Sequence, residues 1–246
     1  MRYFALIIVT TAASQAAFGQ GGPPMITDDP GTPGNGKWEH NIAITFEHRP
    51  DGTLFDLPQF DLNYGAGDHI QLNLQTAPVV LKRSGHGAVA GLSEIQTAVK
   101  WRFLDEENIG FDVSTYPRLL FNVTQSSVRR GLADDGTRFQ IPLEVARKFG
   151  PVALNVEVGS LISTVGRSEW LYGIVGGYEV SKATSFMAEL HGSSRTNFTR
   201  DVLTINIGLR QALTEHQILI ASVGYDLHSS DEARALIGYL GMQLAF

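Results

Sequence analysis

The 246-residue chain contains no cysteine. That excludes a disulfide scaffold, a thiolate metal site and a lipid-modified cysteine behind an export signal. Long hydrophobic runs are missing as well. Beyond the first twenty residues no stretch reaches the roughly 18 apolar residues that a membrane helix needs, and the mean hydropathy is close to zero. Positive charge is not in excess: the formal net charge is −6 and the pI about 5.6, so there is no cationic footprint and nucleic acid is not an expected partner. The histidines at 40, 48, 69, 86, 191, 216 and 228 show neither His-x₃-His nor His-Glu-x-x-His spacing, and no zinc site follows from them. There is no Gly-x-Ser-x-Gly elbow, and Asp28-Asp29-Pro30-Gly31 lacks the alternating oxygen ligands of a calcium loop and reads as a turn. No catalytic residue, metal or cofactor is assigned.

What is present begins with an export pattern. Arg2 supplies a positive start, Tyr3 to Ala13 a short apolar core, and Ala17-Phe18-Gly19 a small-x-small cleavage site. Residues 1–19 therefore read as a signal peptide. Residues 20–36 (QGGPPMITDDPGTPGNG) are too rich in Gly, Pro and Asp for a regular ladder, and read as an extended periplasmic leader. From 37 to 246 the chain breaks into segments of about ten to fourteen residues, the length a tilted membrane strand requires. About twelve such strands are expected, over 38–48, 54–65, 69–81, 92–104, 108–123, 138–149, 151–163, 168–180, 184–194, 201–212, 216–227 and 234–246. Their alternation is plain in Leu203, Ile205, Ile207 and Leu209 against Thr204, Asn206, Gly208 and Arg210, and again in Ile109, Phe111 and Val113 against Gly110, Asp112 and Ser114.

Alternation alone would equally suit a soluble β-sandwich. Three further patterns favour a single antiparallel transmembrane β-barrel, an all-β fold. Connectors alternate in length: those at 65–68, 105–108, 150–151, 181–183 and 213–215 are short, whereas Thr124 to Thr137, Arg83 to Gly91 and Ser193 to Arg200 fall between them, although Arg49 to Thr53 on the same side is short too. Aromatics sit near strand ends, with Trp38, Tyr64, Trp101, Phe103, Tyr178 and Phe246 at one end and Trp170 and Tyr225 at the other. The last strand ends in Tyr239, Gly241, Leu244 and Phe246, a spacing that resembles the C-terminal sorting signal of bacterial outer-membrane proteins and implies contact with the barrel-assembly machinery.

In a barrel the polar face lines the lumen. The candidates are Glu47, Asp61, Gln71, Asn73, Glu94, Lys100, Arg102, Asp112, Arg118, Glu144, Glu157, Glu189, Asn206 and Arg210. The loop Thr124 to Thr137 is a candidate constriction. Charges of both signs suit either a polar passage or a set of transverse ion pairs. Serines beside His191 (Ser193, Ser194) and His228 (Ser229, Ser230) leave a lipid-hydrolysing barrel as an alternative, and a plugged structural barrel is another.

The segment Pro23-Pro24-Met25-Ile26-Thr27-Asp28-Asp29-Pro30-Gly31-Thr32-Pro33, followed by Gly36-Lys37-Trp38-Glu39, resembles the opening of outer-membrane proteins of the phenol meta-degradation pathway type. That resemblance implies a Gram-negative outer-membrane location, the lipid bilayer as partner, and passive transport of small, aromatic or hydrophobic molecules. It implies no catalytic set.

Overall fold

A computed structural model describes residues 21–231 and 233–246; the expected signal peptide lies outside them. The strands are β1 (Trp38–Arg49), β2 (Gly52–Gly65), β3 (Ile70–Thr76), β4 (Pro78–Arg83), β5 (Ala88–Leu92), β6 (Ile95–Leu104), β7 (Asp112–Thr115), β8 (Arg118–Phe121), β9 (Thr137–Phe149), β10 (Val152–Ser163), β11 (Glu169–Ser181), β12 (Thr184–Arg195), β13 (Asp201–Ala212), β14 (Gln217–Ser229) and β15 (Leu236–Ala245). Three pairs, β3/β4, β5/β6 and β7/β8, are single staves with a break in the middle, so fifteen segments make twelve staves. Each stave is antiparallel to the next in sequence, and β15 returns to β1 over Glu39↔Ala245 to His48↔Leu236. The molecule is a closed twelve-strand antiparallel barrel; β5 alone pairs with a single strand, β4, and beside it Arg130 donates to Ala90 O at 2.6 Å.

The burial pattern is inside out. Along β10, Val156 and Val158 are 40% and 53% exposed while Asn155 and Glu157 are 1% and 2% exposed. The same inversion runs through β9, β11, β12 and β13, and Glu144 and Glu189 are among the largest fully buried side chains. Leaving one large apolar side chain in water forfeits about 1.5–3 kcal/mol. A full band of them is compatible only with an apolar surrounding, which is the situation of a membrane barrel. A sandwich would bury the other face. Trp38, Trp101, Tyr178 and Phe246 are exposed near one end of the staves, Trp170 and Tyr225 near the other; Trp38 packs on Tyr64 at 4.8 Å between centroids, and Phe246 meets His40 edge-on at 4.9 Å.

Two of the three breaks have a local cause. Proline cannot donate to a ladder, and Pro78 and Pro117 lie at the β3/β4 and β7/β8 breaks, while Pro58 lies in β2 opposite a register shift between Ala43 and Thr45. The β7/β8 break holds Tyr116, which is buried.

Three expectations need correction. The fifth stave begins at Asp112, not at 108. A short helix α1 (Glu106–Ile109) precedes it, because the Asp112 carboxylate accepts the Glu106 amide at 2.8 Å and Gly110, in left-handed conformation at φ 88°, ends the turn. Ile109 and Phe111 therefore belong to a connector. The loop after β8 is not open chain: it contains a helix, α2 (Gln125–Arg130), and Leu132 packs against the inward-facing Ala77 and Val79. The third correction concerns the leader. Rather than lying extended outside the barrel, residues 21–31 fold back into the lumen, and residues 32–36 run along the short-turn rim, where Thr32 and Asn35 bond to Asp68 and the Gly36 amide to Gly65 O.

Candidate functional site

The lumen is built from inward-facing polar residues and filled across its middle by the leader. A tight turn shapes the leader's tip: the Gly22 amide donates to Thr27 O and the Met25 amide to Gly22 O, each at 2.8 Å. The Asp29 carboxylate takes the amides of Gly21 at 2.9 Å and Gly31 at 2.6 Å. Such a segment has few internal backbone bonds, so the wall must supply the rest.

It does so with carboxylates. Glu189 on β12 accepts the Thr27 amide at 2.5 Å and the Ile26 amide at 3.1 Å, and also the Asn206 side-chain amide at 3.1 Å. Glu157 on β10 accepts the Asp28 amide at 2.8 Å, Asn155 donates to the Asp28 carbonyl, and Ser222 donates to Pro24 O at 2.9 Å. Met25 sits among Val175 and Met187. Two wall glycines leave the room this needs: a Cβ at Gly173 would overlap Thr27, and one at Gly208 would overlap Met25.

At the centre is a charge cluster. Lys100 Nζ donates to Asp28 Oδ1 at 2.7 Å and also to Asp29 O, while Arg118 Nη2 donates to Asp28 Oδ2 at 2.7 Å. Both cations lie over the Tyr116 ring, 4.6 Å and 4.4 Å from its centroid. Burial opposes ionisation of Asp28, but the adjacent Lys100 and Arg118 outweigh it and hold the carboxyl below its usual range. Glu144 and Glu157, opposed across β9 and β10, complete the cluster; Glu144 accepts the Ser114 hydroxyl at 2.5 Å.

The sequence-derived lumen residues fall into groups. Lys100, Arg118, Glu144, Glu157, Glu189 and Asn206 surround the leader. Asp61, Gln71 and Asn73 form an amide–carboxylate ladder with Asn41 and Asn63, in which Asn73 donates to Asp61 at 2.6 Å, Asn41 to Asp61 at 2.9 Å and Gln71 to Asn63 at 2.7 Å. Arg210 donates to Gln243 at 2.6 Å. Glu47 pairs with Arg49 at 2.5 Å and Glu94 pairs with Arg138. Arg102 and Asp112 are at the short-turn rim, where Arg102 holds Asp105 at 2.9 Å and Asp112 caps α1. In the final strand Tyr239 and Gly241 lie on the inward face with Gln243, while Leu244 and Phe246 belong to the outward face, and the backbone of Phe246 pairs with Trp38 at 2.7 and 3.0 Å. Sequence reasoning missed Ile26, Thr27, Asp28, Asn155 and Tyr116. For Asp28 the available signal was a carboxylate in a segment with no secondary structure of its own, facing a lumen that already holds Lys100 and Arg118.

The serine–histidine pairs are not assembled. His228 and Ser229 alternate faces: His228 approaches Asp201 at 3.4 Å on the outer side, Ser230 donates to that same Asp201, and Ser229 is buried opposite Val202. His191 faces inward and meets Thr27 Oγ1 at 3.4 Å. In both places the imidazole contacts a group other than a serine hydroxyl. Among the described residues no group of three potential ligands is placed to hold a metal ion.

Two cavities flank the leader. One, of about 420 Å³, opens toward the long-connector end between Thr45, Asp56, Gln75, Gln96 and Tyr239 and reaches Asp28, Tyr116 and Arg118. The other, of about 90 Å³, lies toward the short turns among Glu39, Asn63, Gln71 and Gln243 and touches Asp28 and Lys100 from below.

A closed barrel of twelve staves, apolar outside and polar inside, defines an outer-membrane-type β-barrel. Solved structures of that class superpose on it. An outer membrane channel from Pseudomonas putida F1 matches with a TM-score of 0.65 at 12% identity, over 86% of this chain and 96% of that one. The NanC porin gives 0.63 at 8% identity over 83% and 98% of the two chains, and the CymD monoaromatic hydrocarbon channel 0.52 at 7% identity over 86% and 89%. No family model and no curated protein sequence matches the chain.

Proposed function

We propose that this barrel is a passive outer-membrane channel for small molecules, aromatic or hydrophobic ones included. The observation that carries the reading is the pair of cavities, about 420 and 90 Å³, separated only by a leader held through non-covalent contacts. A lumen meant solely as structural core has no reason to keep space on both sides of a removable segment. The fold neighbours support the reading, since they are channels and porins, one of them for monoaromatic hydrocarbons. The long connectors then face the cell exterior and the short turns the periplasm. Transport is diffusion down a gradient, with the leader as a constriction beside the loop between β8 and β9, whose Leu132 packs on the inward-facing Ala77 and Val79.

The test is planar-bilayer conductance of the refolded protein beside a variant lacking residues 21–34. Small current steps in the full chain and larger ones in the variant are expected. Two correctly folded but silent barrels would overturn the channel reading and leave a plugged structural barrel.

A further inference from the structure

Asp28 is held as a ligand would be. Its carboxylate, carried on a segment that belongs to no strand, is gripped by a different cation at each oxygen, Lys100 at 2.7 Å and Arg118 at 2.7 Å, above an aromatic ring. Both cations are almost fully withdrawn from solvent, with side chains 3% and 12% exposed, and each makes its ion pair with Asp28. Beside them stand the wall carboxylates Glu144 and Glu157, but the carboxylate that Lys100 and Arg118 both hold is that of Asp28. A small acid taking the place of the Asp28 carboxylate restores a contact to each cation, whereas a neutral molecule leaves two buried cations without their contacts, a costly arrangement. The approach exists: the cavity of about 420 Å³ reaches Asp28, Tyr116 and Arg118 from the long-connector end, a volume within the roughly 300–1,000 Å³ of small-molecule sites.

We infer that Lys100 and Arg118 form a carboxylate-binding subsite that Asp28 occupies as an internal stand-in, and that small monocarboxylates compete with Asp28 for it and thereby release the leader. This rests on the channel reading and adds a substrate class to it. The cations supply two-point recognition of the acid group, Tyr116 supplies a ring face beneath it, and displacement couples cargo binding to opening. A ligand shifts the docked and undocked populations only by its preference between them, and here that preference is direct competition for one position.

The absence of cysteine makes the test simple, because a Met25→Cys variant carries a single thiol on the docked leader. Met25 is 6% exposed, so a bulky maleimide reacts only when the leader leaves. Sodium benzoate should accelerate labelling by about tenfold, a usual size for coupling between linked events, saturably and at constant ionic strength. Benzyl alcohol, similar in size and uncharged, should not. Adding Asp28→Asn leaves the wall intact and weakens the competitor, so basal labelling should rise and the half-saturating benzoate concentration should fall. Equal acceleration by benzyl alcohol, or a half-saturation point unmoved by Asp28→Asn, would overturn the inference. Conductance measured in parallel separates the two readings. A barrel that conducts but labels indifferently to benzoate loses the subsite alone; one that never conducts yet labels faster with benzoate loses the channel alone.

Discussion

At the scale of single residues, two side chains carry opposite lessons. Ile207 is 56% exposed in the middle of β13 and its neighbour Asn206 is 1% exposed. Arginine at Ile207 is expected to destabilise the barrel by roughly 2–4 kcal/mol, the cost of a charge on the lipid face, as read by denaturant titration in lipid vesicles. On sequence alone Asn206 looks like a free lumen position that would accept arginine. The structure changes that expectation, because Asn206 donates to Glu189 and abuts Met25. Arginine there should leave the barrel intact and expel the leader, so conductance should rise while the unfolding midpoint stays near that of the unmodified chain. Asp28 sets the acid limit of docking. Its carboxyl is held below its ordinary value of 3.8, so the free leader binds a proton more readily than the docked one. The contribution of Asp28 to docking should therefore be fully present above that ordinary value and be lost below it, seen as conductance rising in strongly acidic buffer. In Asp28→Asn that part of the acid response should vanish.

At the scale of elements, the leader and the β8–β9 connector are both held by packing that a point change can undo. Gly173→Val places bulk where Thr27 sits; the barrel should still show its folded mobility in unheated gels, with the leader opened to proteolysis. Leu132, 3% exposed against Ala77 and Val79, anchors the connector, and Leu132→Ala should loosen it by about 2–5 kcal/mol, seen as faster cleavage between residues 124 and 137. Periodicity made the staves legible, since the unbroken ones such as β9 to β14 repeat with period two over ten or more residues. It says nothing about a segment such as 21–36, whose Gly and Pro content marks only what it is not. The leader's partners, Lys100, Arg118, Glu157 and Glu189, lie 72 to 163 residues further along the chain, and no local pattern links them. The stave at 108–123 failed for a related reason. Its apparent alternation at Ile109 and Phe111 is short, and the Asp112 cap and Gly110 turn outweigh it.

At the scale of the whole molecule, the order of contacts is simple: every stave pairs with its neighbour in sequence, apart from the closing pair β1 and β15. Such a meander was readable from strand count and connector parity, because adjacency costs little loop entropy. The leader breaks that locality. Its seat combines β6, β8, β10, β12 and β14, from Lys100 to Ser222, and so comes into being only when most of the sheet has rolled up. The residues that emerge earliest after the expected export signal are thus the ones that settle last. Their docking marks the completion of assembly, and a half-built barrel, having no seat for them, keeps them outside.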